Sequence, residues 1–193
     1  MFIDIHNHTL FGVDDGPQEI AVAEKMLLDA KSQGAEAIIL TPHYRRGMFS
    51  YPIGDIEKNY KELEQIAQTI GLRLFLGCEY HVNSDLISNI QSGRCKTLAG
   101  SDYVLTEYSY QTEYSYMAEQ THRLLSCGYF PVIAHVERYR CLFKHIDRME
   151  ELVGMEAYLQ MNISRIRSDL TFAAGGSFRN IHTARIGFTH KNL

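Results

Sequence analysis

Six short apolar runs, separated by stretches of helical periodicity, constrain this chain more than any other feature. They are Phe2 to Ile5, Ala35 to Leu40, Leu72 to Cys78, Asp102 to Thr106, Tyr129 to Ala134 and Ala157 to Met161. Runs that are mostly apolar, rather than alternating, belong to strands covered on both faces, and such strands build parallel sheets. Between them, Ile20, Ala23, Leu27 and Ala30 share one helical face, and Ile56, Tyr60, Leu63, Ala67 and Ile70 share another. Further helices are predicted over 85–90, from Tyr114 to Leu124 and from Ile146 to Val153, with Gly34, Gly71 and Gly128 as stops. Gly16-Pro17 reads as the start of the first helix, Asp55 as the N-cap of the second, and Tyr44 to Gly54 as a loop.

The polar residues select among parallel α/β architectures. His6 and His8, His43, Glu79, Glu107 and His135 fall at the carboxyl ends of five different runs, and Asn162 ends the sixth. In a barrel those ends meet on one face, where active sites form; in an open sheet they would be strung along a line. The expectation is an α/β barrel with six clear βα units, small or incomplete.

His6 and His8 are two residues apart at a strand end, so both imidazoles can aim at one point. Asp14-Asp15 follows in the next loop and can return a carboxylate to it. A mixture of imidazoles and carboxylates suits manganese, iron or zinc. His6, His8, Asp15, His43, Glu79, Glu107 and His135 are too many ligands for one ion, so two or three metals are expected. Closely spaced metals serve in-line displacement at phosphorus, which points to metal-assisted phosphoester hydrolysis. Arg138, three residues past His135, can grip a phosphate bidentately. Arg45 and Arg46 are candidates for an electrostatic role at the mouth, and Tyr108, Tyr110, Tyr114 and Tyr116 for an aromatic rim. His81, His122 and His145 lie off the pattern and read as non-ligands.

Composition excludes several other classes. The 193 residues, 45% hydrophobic and 22% charged, suit a single core. A net charge of -4 gives no basic face for nucleic acid. No apolar run reaches the roughly eighteen residues of a membrane helix, and the chain opens directly on a strand, so a cytoplasmic protein without membrane insertion is expected. The four cysteines form no C-x-x-C pair, and none is followed six positions later by arginine, so neither a zinc ribbon nor a cysteine-phosphatase loop is present.

His6-Asn7-His8, Val13-Asp14-Asp15-Gly16-Pro17, Thr41-Pro42-His43, Gly77-Cys78-Glu79 and Ala134 to Tyr139 together resemble the polymerase-and-histidinol-phosphatase (PHP) superfamily. Within it they are similar to the manganese-dependent protein-tyrosine phosphatases of bacterial capsule and exopolysaccharide operons. The resemblance implies a distorted PHP-type (β/α)7 barrel, a site of two or three Mn2+ ions (with iron or zinc as alternatives), and dephosphorylation of the tyrosine-rich tail of a bacterial tyrosine kinase. By motif match His6, His8, Asp15, His43, Glu79, Glu107 and His135 take the ligand roles and Arg138 the phosphate-binding role. Asp15 is preferred to Asp14 as the loop ligand. A homo-oligomer is compatible with this reading. The same ligands would also serve another PHP phosphoesterase, such as a histidinol-phosphate phosphatase, or an impaired metal protein that binds a kinase tail without turnover.

The resemblance covers residues 1 to about 164, taken as the barrel domain. Residues 165–193, with Asp169 as the one acid against five basic residues, read as a divergent, loosely packed tail rather than a separate domain. Family members continue further and supply a last strand with an Asp-x-His motif, which does not occur in residues 165–193. The expected consequence is a barrel left open between its sixth and first strands. His182 and His190 are the tail's candidate replacement ligands.

Overall fold

The computed structural model describes residues 2–162 and the backbone of 186–189. The first half runs β1 (Phe2–Asn7), α1 (Ile20–Ser32), β2 (Ala35–Leu40), β3 (His43–Arg45), β4 (Phe49–Ser50), α2 (Ile53–Thr69), β5 (Arg73–Leu76), β6 (Glu79–His81) and α3 (Leu86–Gln91). The second half runs β7 (Tyr103–Glu107), α4 (Tyr114–Ser126), β8 (Phe130–Ile133), α5 (Ile146–Gly154), β9 (Tyr158–Asn162) and β10 (Ile186–Thr189). All six predicted runs are strands, and every predicted helix is present.

Two sheets, ordered β1-β2-β5 and β10-β9-β8-β7-β6-β3-β4, continue one another. Every pairing is parallel except the β3–β4 hairpin. The join is made at two strand breaks, Thr41-Pro42 and Gly77-Cys78. Thr41 N donates to Asn7 O (2.7 Å), Gly77 N to Leu40 O (2.8 Å) and Glu79 N to Pro42 O (3.2 Å). β2 and β3 are thus one barrel stave with a kink, and so are β5 and β6. Proline supplies no donor at the first break. At the second, a Cβ on Gly77 would sit 3.0 Å from Leu98 and 3.2 Å from Ile39 and Thr41, so only glycine lets Leu98 in.

The strands sort their side chains into two cores. Ile39, Leu98, Leu105, Val132 and Ala134 pack together, joined by Ile5 and Tyr158. Their sequence neighbours Ile38, Leu40, Val104, Ile133 and Leu159 belong to a larger cluster with Ala23 and Leu27 of α1, Ile56, Leu63 and Ala67 of α2, and Met117 and Leu124 of α4. Adjacent residues face opposite ways, so the small cluster fills the barrel and the large one lies between strands and helices.

Several local expectations are corrected. α1 starts at Ile20, because Gly12 N donates to Pro17 O (2.8 Å) and closes 12–17 as a loop. α2 starts at Ile53 after Pro52, so Asp55 lies in its first turn without capping it, where its charge suits the helix dipole. The expected loop from Tyr44 contains the β3–β4 hairpin, turned at Gly47 (φ 81°). β10 lies in the span expected to lack a strand; it pairs with β9 from Ile186↔Leu159 to Thr189↔Asn162 and passes within 8 Å of β1, Cα to Cα. His182, His190 and the looseness expected of the tail fall outside the described residues.

Leu105 is fully buried in the barrel interior, so Leu105→Ala is expected to cost about 2–5 kcal/mol of stability. Urea unfolding followed by circular dichroism would measure it.

Candidate metal centre

The site begins at β1, whose register against β2 shifts between Asp4 and Asn7. Asp4 pairs with Ile38 and Asn7 with Leu40, so β1 carries one extra residue there, a bulge that re-aims its side chains. Asp4 pins it: one carboxylate oxygen accepts from His6 N (3.1 Å), the other from Asn7 Nδ2 (3.0 Å). Asn7 Oδ1 in turn accepts from Thr9 N at 2.8 Å. Burial pushes the Asp4 carboxyl up to about 6, against the opposing pull of those bonds.

The next loop places two aspartates differently. Asp14 is enclosed: Oδ1 accepts from Gly16 N (2.9 Å), and Oδ2 from His43 N (3.0 Å) and His8 Nδ1 (2.9 Å). Burial opposes its ionisation, but His8 and the two backbone donors hold its carboxyl below the usual range. Asp15 is exposed, with Oδ1 3.6 Å from His43 Nε2 and 3.9 Å from His8 Nδ1. A Cβ on Gly16 would collide with the His8 carbonyl oxygen, so the loop closes only with glycine there.

Glu79, at the second strand break, is the centre of the cluster and fully buried. Its Oε2 lies 2.9 Å from His6 Nε2, 3.0 Å from His8 Nε2 and 3.2 Å from His43 Nδ1. Its Oε1 lies 2.9 Å from His135 Nε2, which is also 3.4 Å from Glu107 Oε1. Burial opposes charge on Glu79, yet the surrounding imidazoles of His6, His135 and His8 hold its carboxyl well below the normal range. His6, completely enclosed, is lowered by burial. His8 is lifted to about 9, its burial outweighed by Asp14 and Glu79. His135 reaches the cluster through a left-handed backbone (φ 37°, ψ 52°). Ala134 packs into the barrel, so strict alternation would turn His135 outward, and the left-handed residue brings it back in.

All seven sequence-predicted ligand candidates therefore stand around one point. Three triads have donor atoms within 4.8 Å of one another: His6, His8 and Glu79; His8, Asp15 and His43; His43, Glu79 and Glu107. Arg138 is half-buried in the short turn Val136–Arg138, tied to His135 by its backbone N–H at 2.9 Å. Among the described residues its guanidinium makes no ion pair. Arg46 pairs instead with exposed Asp85 at 3.4 Å, and His81, His122 and His145 join none of the triads. Tyr108 is buried, and Tyr114 lies under Arg148, which leaves Tyr110 and Tyr116 as the exposed members of that set. Sequence reading missed several contributors, two of them in contact with His43. One is Phe49, whose ring stacks on His43 (centroids 5.3 Å apart, 11° between planes). The other is the orienting role of Asp14, signalled only by its place in the Asp-Asp-Gly turn.

The sequence family described as "Capsular polysaccharide synthesis, CpsB/CapC" matches residues 2–184. The chain belongs to this family. It is 35% identical over 162 residues to the tyrosine-protein phosphatase CpsB of Streptococcus pneumoniae, spanning 83% of this chain and 67% of that protein. It is 29% identical over 161 residues to the tyrosine-protein phosphatase YwqE of Bacillus subtilis, spanning 82% of this chain and 63% of that protein. A structure from work on YwqE and CpsB, described as metal-dependent tyrosine phosphatases, superposes with a TM-score of 0.78 at 28% identity, over 86% of this chain and 68% of that one. A phosphotriesterase homology protein from Escherichia coli shares the fold alone (TM-score 0.58, 13% identity, 97% and 80% covered).

The donor set of the CpsB/CapC site fits divalent metal. His43 Nδ1, Glu79 Oε2 and Glu107 Oε2 are buried without a hydrogen-bond partner, although nitrogens and oxygens lie within 2.9–3.9 Å of one another. These atoms are close but not aligned as hydrogen bonds, the arrangement expected of groups that face a shared cation. His6, His8, His43, Glu79, Glu107, His135 and Asp15 would hold it.

Without metal, His8 keeps its proton up to about pH 9, and an incoming cation must displace it. Apparent metal affinity is therefore expected to rise with pH and level off above about pH 9, by about tenfold per unit for each proton displaced. Titration calorimetry in buffers of different ionisation enthalpy counts the protons, and an affinity flat over that range would contradict the assignment. Gly16→Ala is expected to displace Asp14 from His8 and weaken metal binding by about tenfold or more while the protein stays folded; the same calorimetry reads it.

Proposed function

We propose that this chain is a metal-dependent protein-tyrosine phosphatase, acting in the cytoplasm on phosphotyrosine in the tail of a bacterial tyrosine kinase of the capsular or exopolysaccharide pathway. The observation that carries the reading is the gathering of four imidazoles about the buried carboxylate of Glu79, with Arg138 beside His135. Membership in the CpsB/CapC family, with relatives named as tyrosine phosphatases, supports it. Among the described residues no helix is long and apolar enough to cross a membrane.

Two or three divalent ions, with Mn2+ as the first choice, would supply charge that polarises the phosphoryl group and acidifies water. The protein's own part is to hold and neutralise the substrate. Arg138 receives the phosphate as a bidentate guanidinium, with donors that no carboxylate among the described residues occupies. The ring of Phe49, fixed flat against His43, forms one wall of the mouth, and exposed Tyr110 stands on the loop whose carbonyl accepts Arg140 N–H at 3.3 Å. These rings offer flat apolar surface to the aryl group of phosphotyrosine. Buried Glu79 and Glu107 keep the floor of the site anionic, so it accepts a phosphate dianion only with cations in place.

A phosphotyrosine peptide should be hydrolysed in the presence of manganese, and chelation should abolish turnover. Arg138→Ala should lower kcat/KM by roughly 100-fold or more with metal content unchanged. A panel with histidinol phosphate separates this reading from that of another PHP phosphoesterase. No turnover by a folded, metal-loaded protein would leave the binding-protein reading in its place.

A further inference from the structure

Gln160 lies on β9, fully buried and next to the metal centre, in a strand that is otherwise mostly apolar. Its side-chain oxygen sits 2.8 Å from the backbone N of His135 and 3.0 Å from Nδ1 of His6. Its nitrogen donates to Asn162 Oδ1 at 3.1 Å. The His135 backbone N–H can only donate, so the amide atom that faces it is the oxygen. The same oxygen can only accept from His6. His6 must then carry its proton on Nδ1 and present a lone pair at Nε2.

We propose that Gln160 is a positioning residue of the metal centre, which locks His6 in the Nδ1–H tautomer and so turns Nε2 into the ligand atom. The inference rests on the metal-centre reading above and deepens it. Asp14 acts on His8 by the same logic: one oxygen takes the backbone N–H of His43 and the Nδ1–H of His8. The two Nε2 atoms then face each other at 3.2 Å, both beside Glu79 Oε2. With Nδ1 of each ring engaged by an acceptor, the two Nε2 atoms are left to face the same gap beside Glu79, where a divalent metal would sit. Nδ1 of His135, by contrast, faces the Tyr139 hydroxyl at 3.3 Å, a group that can give or take a proton. Gln160 steadies His135 through its backbone instead, holding the left-handed turn that brings the ring inward. One amide thus aligns ligands from two other staves, β1 and β8.

The test is imidazole nitrogen NMR on the metal-free protein, comparing wild type, Gln160→Glu and Gln160→Met, with circular dichroism and thermal melting as fold controls. Wild type and Gln160→Glu, which keeps the acceptor, should show His6 protonated at Nδ1. Gln160→Met should lose that preference, and manganese titrated into it should bind about 10–100-fold more weakly, with Gln160→Glu near wild type. His6 protonated at Nε2 alone in the wild type, or an unchanged tautomer and affinity in Gln160→Met, would overturn the proposal. Should Gln160→Met fail to fold, the wild-type and Gln160→Glu spectra decide it. The Nδ1 tautomer without phosphotyrosine turnover would refute the functional reading and leave this one standing; turnover with the wrong tautomer would do the reverse.

Discussion

The structure depends on one buried charge. Glu79 is completely enclosed, and removing a carboxylate from water costs several kcal/mol unless cations and donors replace its hydration. Four ring nitrogens stand within 3.2 Å of it, one each from His6, His8, His43 and His135, and the positive charge gathered among them offsets its own. None of these residues is near Glu79 in sequence. Only parallel strands curved about one interior, with their carboxyl ends on one face, bring them together. The kink at Gly77-Cys78 is what sets Glu79 at that height, and it is held from outside by Tyr51, whose hydroxyl donates to the Gly77 carbonyl at 2.8 Å.

Much of this was legible in the sequence, because strands covered on both faces leave apolar runs that stop where the site begins. The way each ligand enters was less so. Glu79, Glu107 and His43 follow alternation from the barrel-filling positions, as Leu105 and Glu107 show within β7 and Ile39, Thr41 and His43 along β2 and β3. His6 and His135 do not. A bulge admits the first and a left-handed residue the second. The alternation argument for His6 and His8 thus reached the right partners, ring centroids 5.2 Å apart, while β1 already ends at Asn7. Backbone irregularities of one residue leave no periodic trace. The same holds for β4, whose two residues are too few to show a pattern.

The polar residues whose orienting role escaped notice share a physical signature. Gln160 and Asp14 hold other side chains in place, so no motif logic picks them out. Gln160 did carry a signal, since a glutamine flanked by Leu159 and Met161 in a buried strand must have its amide satisfied. The tyrosines show the converse. Tyr108 and Tyr114, candidates for an aromatic rim, proved to be packing, with the Tyr139 hydroxyl accepting the Tyr108 backbone N–H at 3.1 Å. Aromatic residues in a loop carry no label for the side on which they will be spent.

The orienting oxygens also explain how such a cluster exists before metal enters it. Each acts through a backbone N–H on a neighbouring stave, His43 for Asp14 and His135 for Gln160, so the geometry is written into the strand order rather than into the ion. This puts weight on the seam at β9. Gln160 can hold His6 only while β9 keeps its place, and a strand with a free edge is the least anchored part of a sheet. β10 lies along that edge in parallel register, Gly187 opposite Gln160, and passes beside β1 as well. A short strand there gives the stave that carries Gln160 a partner on each side, and so the pairing of β9 and the aiming of the first histidine become the same requirement.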